Sequence, residues 1–177
     1  MPSGNTHDAI TFILTLPVAG GAFYFTRSIA AAALVAAAFI FGGLMFGPDL
    51  DTLSKQYSRW RFFRFFWIPY RTFFKHRSRW SHGLIFGTLF RVIYFMGIAT
   101  LSLLAASYCS ARIFGTEMPR LDDLAGAWRL AGGYARLHAG GEIMILIFAG
   151  MWVGAASHTF ADMAGSYIKT GRAGGFL

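Results

Sequence analysis

The stretch SIAAAALVAAAFIFGGLMFGPDLD, residues 28–51, decides the fold. From Ser28 to Pro48 there is no Lys, Arg, Asp or Glu, and two carboxylates, Asp49 and Asp51, follow at once. A helix that crosses a bilayer needs about 20 predominantly apolar residues, with a range of about 17–25. Gly42-Gly43 near the end of the run permits a neighbouring helix to approach closely. Three further stretches are equally free of charge: residues 9–26, 92–111 and 143–161. Pro17 and Gly20-Gly21 predict a kinked or partly re-entrant path in the first of these. The expectation is an all-α membrane protein with four transmembrane helices, its residues 1–177 forming a single domain.

Composition agrees. The chain is 55% hydrophobic and only 14% charged, against about a quarter charged in soluble domains. Net charge is +8. In a soluble protein that excess would suggest nucleic acid. Here the basic residues gather in one loop, so anionic membrane lipids are the expected partner and nucleic acid is not. Cys109 is the single cysteine, which excludes an internal disulfide and a cysteine-based zinc site. No Lys or Arg precedes the first apolar run, unlike the start of a cleaved signal peptide.

Residues 26–28 leave almost no loop between the first two apolar runs and predict a tight helical hairpin. Between the second and third runs the chain carries Lys55, Arg59, Arg61, Arg64, Arg71, Lys75, Arg77, Arg79 and Arg91. Loops rich in Lys and Arg stay cytoplasmic. Both termini and this loop are therefore expected on the cytoplasmic side, with the turn at Arg27 and the loop of residues 112–142 outside. Within the basic loop, residues 59–75 mix aromatic and basic side chains. Arg61, Arg64, Arg71 and Lys75 recur at helical spacing. They predict an amphipathic helix lying in the membrane interface and broken near Pro69.

Ionisable groups sit at the edges of the apolar runs: His7-Asp8, Asp49-Leu50-Asp51, His76 with His82, and His158 with Asp162. The topology places all four on the cytoplasmic side and leaves His138 outside the set. His158 and Asp162 are four apart and share one helix face. Buried ionisable groups in a membrane segment are costly and mark sites. The expected metal ligands are His7, Asp49, His76, His82, His158 and Asp162, with Asp8 as a spare or a helix-start charge. Asp51 is the expected bridging carboxylate or base, and Arg77 and Arg79 would hold a substrate anion. This many nitrogen and oxygen donors suits one or two divalent ions. Zinc is the first expectation, with manganese and iron compatible with the same donors.

These motifs, in this order, resemble a family. Thr6-His7-Asp8, Gly47-Pro48-Asp49-Leu50-Asp51, His76-Arg77-Ser78 with Ser81-His82, and Ser157-His158-Thr159-Phe160-Ala161-Asp162-Met163 look like small metal-binding integral membrane proteins common in cyanobacteria. Those are related to inner-membrane proteins of the YdjM type, described as metal-dependent hydrolases. Thr52 stands where the YdjM type has a histidine, and the His76–His82 spacing is one residue longer. The resemblance implies a membrane-embedded metal-dependent hydrolase of a phosphoester or lipid. The rival reading is a non-catalytic accessory subunit of a larger membrane complex, with protein partner subunits and a structural metal.

Overall fold

The computed structural model describes residues 3–74, 80, 83, 86–117 and 119–171. Seven α-helices and two 3-10 turns follow one another among them. They are α1 (Gly4–Thr26), α2 (Ile29–Met45), a 3-10 turn (Pro48–Asp51), α3 (Lys55–Arg59), a 3-10 segment (Arg61–Trp67), α4 (Ile68–Phe73), α5 (Phe86–Phe114), α6 (Leu121–Ala139) and α7 (Ile143–Thr170). Helices α1, α5 and α7 are long and apolar enough to cross a membrane, and α2 is apolar with 17 residues.

The hairpin between α1 and α2 is tight for a local reason. Arg27 takes a left-handed conformation (φ 52°) and its N–H bonds back to the Phe23 carbonyl at 2.8 Å, closing α1. Ser28 then accepts from the Ala31 N–H at 3.2 Å and opens α2, as a short polar side chain does at a helix start. Pro17 lies inside α1 without ending it, so the first run is one continuous helix rather than a re-entrant segment.

Helix α2 is the interior element, packed between α1 and α7. Its face of Ala31, Ala32, Val35, Phe39, Gly42 and Gly43 is buried. Glycines make the approach to α7 possible from both sides. A Cβ on Gly42 would lie 2.0 Å from the Met151 carbonyl oxygen, and one on Gly154 would lie 2.1 Å from that of Phe39. A Cβ on Gly43 would strike Thr11 of α1 at 2.6 Å. In lipid, where apolar burial gives no drive between helices, such backbone proximity is a main source of association. Helix α5 is peripheral by contrast: its buried residues are Gly87, Thr88, Arg91 and Ala111.

Two expectations change. Residues 59–74 are not an amphipathic α-helix throughout: Arg61 adopts φ 46° and a 3-10 segment takes up Arg61–Trp67. The break expected near Pro69 falls at residues 67–68, where α4 begins with Pro69 in its first turn. Trp67 and Tyr70 turn inward and pack with Phe46, Leu50 and Tyr57, while Phe62 and Phe73 stay exposed. The loop of residues 112–142 contains a helix, α6. It opens with the Asp123 carboxylate accepting from the Arg120 N–H at 2.8 Å, and its last residue, Ala139, clusters with Ala31 of α2 and Ile143 of α7.

Replacing Gly154 with Leu forces α2 and α7 apart, and the stability measured by unfolding in detergent should fall by an overpacking cost of about 1–3 kcal/mol. Gly133→Ala, where the added carbon meets nothing within 4 Å, should leave it unchanged or slightly raised.

Candidate metal centre

Three elements far apart in sequence bring their polar residues to one end of the bundle. His158 and Asp162 lie one turn apart on α7, and both are buried. His7 lies near the start of α1, which Ser3 caps by accepting from the Thr6 N–H at 3.3 Å. Asp8 is therefore not the cap of that helix. Asp49 comes from the 3-10 turn that follows α2. Its backbone is held firmly, because its carbonyl accepts from Ser54 Oγ at 2.7 Å, Thr52 Oγ1 at 3.1 Å and the Thr52 N–H at 3.2 Å.

Helix α3 completes the site by closing the end of α2. The last carbonyls of a helix lack internal partners, and here α3 and its flank supply the donors. Gln56 Nε2 bonds to the Gly43 carbonyl at 3.0 Å, Arg59 Nη1 to that of Leu44 at 2.9 Å, and Trp60 Nε1 to that of Met45 at 3.0 Å. Lys55 and Arg59 both reach the Asp8 carboxylate, tying α3 to α1.

The imidazoles of His7 and His158 stack in parallel, with ring centroids 3.6 Å apart and planes at 9°. Both turn Nε2 toward Asp162: His7 Nε2 is 3.2 Å from Oδ1, and His158 Nε2 is 3.8 Å from Oδ2. Asp49 Oδ2 stands 3.3 Å from His158 Nε2. One donor atom from each of His7, His158 and Asp162 lies within 4.8 Å of the others.

This donor set fits a divalent cation. Two ligands of a tetrahedral zinc at about 2.0–2.1 Å from the metal stand roughly 3.3 Å apart, close to the observed 3.2 and 3.3 Å separations. His158 Nε2, the nitrogen that faces Asp49 and Asp162, is buried without a hydrogen-bond partner, which is costly unless another group satisfies it. The donors face a cavity of about 170 Å³ lined also by Gly4, Asp8, Asp49, Lys55, Gln56 and Arg59. Asp49, with a side chain 31% exposed, lies on its open side, whereas the side chains of His7, His158 and Asp162 are at most 6% exposed.

The structure thus brings together His7, His158 and Asp162, with Asp49 against His158. Asp51 is buried and does not line the cavity. His76, His82, Arg77 and Arg79 lie outside the described residues. His138 is exposed at the end of α6, where Nδ1 lies 2.9 Å from the Tyr134 carbonyl. Sequence reasoning missed Gln56, a neutral residue in a charged loop whose partners are Gly43 and His158. It gave Arg91 no role beyond loop charge.

Gln56 also determines what His158 can bind. Its Nε2 lies 3.1 Å from His158 Nδ1 while donating to Gly43. In that arrangement Nδ1 accepts and Nε2 carries the proton. A metal at Nε2 requires an acceptor opposite Nδ1–H, which the Gln56 amide provides when Oε1, buried without a hydrogen-bond partner, turns to the ring.

Apolar helices of membrane length and a buried imidazole–carboxylate cluster define the class, a helical metal-binding protein. The chain belongs to the family described as "Uncharacterized metal-binding protein (DUF2227)", whose model it matches over residues 2–172. An uncharacterized protein of Aquifex aeolicus (strain VF5) is 37% identical over 57 residues, which is 32% of this chain and 40% of that protein. The matched stretch therefore spans less than half of that relative. No solved structure matches.

Gln56→Leu removes any acceptor for Nδ1–H, and zinc affinity in a chelator competition titration should fall about 10–100-fold. Gln56→Glu, which keeps an acceptor, should bind at least as tightly as wild type. Equal affinity in the Leu variant would show that Gln56 does not support the ligand.

Proposed function

We propose that this protein is an integral membrane metalloenzyme. Its metal centre lies at the cytoplasmic edge of a four-helix bundle and hydrolyses a phosphoester, such as an anionic lipid. The observation that carries this reading is the convergence of three buried donors, His7, His158 and Asp162, on a cavity where a further carboxylate, Asp49, faces the open side. A purely structural site has its ligand shell closed, while a catalytic one keeps a position open.

The same convergence supports a topology of four crossings. His7 starts α1, Asp49 follows α2, and Asp162 is near the end of α7, yet they meet at one end of the bundle. Helix α2 must return the chain to the side where α1 begins. At about 1.5 Å per residue its 17 residues cover about 25 Å, so we read it as the remaining crossing, beside α1, α5 and α7. The excess of Lys and Arg in residues 49–91 assigns that side to the cytoplasm.

His7, His158, Asp162 and Asp49 would hold the cation, and zinc, manganese or iron suits that mix of imidazole and carboxylate. Such a cation supplies Lewis acidity and lowers the pKa of a bound water. The chain does the rest. Asp162 faces both imidazoles, the α1–α2–α7 packing excludes water on the buried side, and Asp49, the most exposed of the four donors, lies on the side where a substrate would enter. Lys55 and Arg59 offset the charge of Asp8 on the cavity wall. Arg77 and Arg79 would meet the substrate anion, and His76 and His82 would hold a second ion. The exposure of most of α5 favours one other reading, a non-catalytic subunit that docks on a protein partner through that helix.

Purified wild-type protein should carry at least one equivalent of divalent metal by elemental analysis and cleave a chromogenic phosphodiester or phospholipid vesicles. His158→Ala should lose most of the metal and the activity. Full metal content in His158→Ala would sink the site assignment. Metal without turnover, together with a stoichiometric partner, would favour the accessory-subunit reading.

A further inference from the structure

The wall of the metal cavity carries one cation more than Asp8 requires. Lys55 and Arg59 both bond to the Asp8 carboxylate. Arg59, which also donates to the Leu44 carbonyl at 2.9 Å, would balance Asp8 alone. Lys55 is therefore a surplus cation, and it lines the same cavity as His7, His158, Asp162 and Asp49. A positive charge beside a metal site repels the metal, and the pair becomes favourable when an anion lies between them.

The start of α1 holds Lys55 in this place. Its stem lies along Gly4, where an added Cβ would come 3.2 Å from Cδ. Its Nζ donates to Asn5 Oδ1 at 2.7 Å and to the Asp8 carboxylate. An ammonium has three N–H groups. With these two partners among the described residues, one N–H remains for a ligand, and the side chain is 45% exposed.

The charges around the cavity decide when an anion can enter. Among the described residues it is lined by three carboxylates, Asp8, Asp49 and Asp162, and two cations, Lys55 and Arg59. With neutral imidazoles, one negative charge is in excess. A divalent ion reverses this to one positive charge in excess, since the ion's own charge belongs in the count. The cavity of about 170 Å³ is smaller than the roughly 300–1,000 Å³ of pockets that enclose a whole small molecule. It suits a cation with one small anionic group, the rest of the molecule staying outside.

We propose that Lys55 is the anion-recognition residue of a metal-gated site: a phosphoryl anion binds between Lys55 and the cation once the cation has reversed the charge of the cavity. This rests on the reading that His7, His158, Asp162 and Asp49 hold a divalent ion. A lysine ammonium meets a phosphate oxygen as a compact point charge. Coupling of two ligands is reciprocal, so the anion tightens the metal as much as the metal tightens the anion.

The test is zinc affinity of the full-length protein in detergent, by chelator competition at constant pH and ionic strength. It is measured alone, with dimethyl phosphate and with inorganic phosphate. At least one probe should tighten zinc about 5–10-fold in the wild type, and the stronger probe shows whether the site prefers a diester, as in a lipid headgroup, or free phosphate. Lys55→Gln should lose most of that gain. Its zinc affinity without anion should rise about two- to fivefold, because a cation has left the wall while Arg59 still holds Asp8. Lys55→Arg should keep most of the gain. If Lys55→Gln does not fold, Asp8→Asn reads the same wall in the opposite sense, with weaker zinc alone and a larger gain with anion. An undiminished gain in Lys55→Gln would overturn the proposal, as would wild-type readings in Asp8→Asn. Weaker zinc in Lys55→Gln without anion would mark a structural role and overturn it too. No gain from either probe in a wild type that binds zinc overturns the proposal and leaves the metal reading standing. A wild type that takes up no zinc overturns the metal reading and this inference with it.

Discussion

The close approach of α2 to α7 fixes the distances on which the site depends. Glycines on both helices meet the partner's carbonyls at a separation that leaves no room for a Cβ. Gly154 lies one turn before His158, so the contact that seats α7 on α2 also sets the height and rotation of the His158–Asp162 pair. Gly43 plays the matching part toward Thr11 of α1, one turn from His7. Three helices are thereby locked at the level where two imidazoles and a carboxylate must meet.

Such packing leaves the end of α2 with carbonyls that have no helical partner, in surroundings where water is scarce. The chain meets this demand with side chains from α3, and one of them, Gln56, also touches His158. The residue that caps α2 is thus also the neighbour of the His158 ring. The aromatic cluster around Trp67 plays the corresponding role beneath the turn: it buries Leu50 and so presents Asp49 to the cavity. Function here is the by-product of satisfying backbone groups and filling space around a few costly buried charges.

Much of this was legible in the chain. Four charge-free runs and their Lys- and Arg-rich loop predicted helices of the observed placement, and the i, i+4 spacing of His158 and Asp162 predicted a shared face. Gly42-Gly43 announced a close contact, though not its partners Met151 and Gly154 on α7 and Thr11 on α1, because glycine spacing does not say which helix it meets. Helix α6 was hidden by its mixed hydropathy, with Asp122, Asp123, Arg129 and Arg136 interrupting the apolar positions. The helical spacing of basic residues in 59–75 misled because burial of Trp67 and Tyr70 outweighs it. Which of Asp49 and Asp51 reaches the cavity depends on the handedness of one turn. Spacing alone does not carry that information.

The central claim, that His7 and His158 ligate one cation beside carboxylates, is tested most directly by X-ray absorption at the metal edge of the loaded protein. The account predicts a shell of nitrogen and oxygen with two imidazoles and no sulfur, falling to one imidazole in His7→Gln. A shell without imidazole, or one containing sulfur from Cys109, would contradict it.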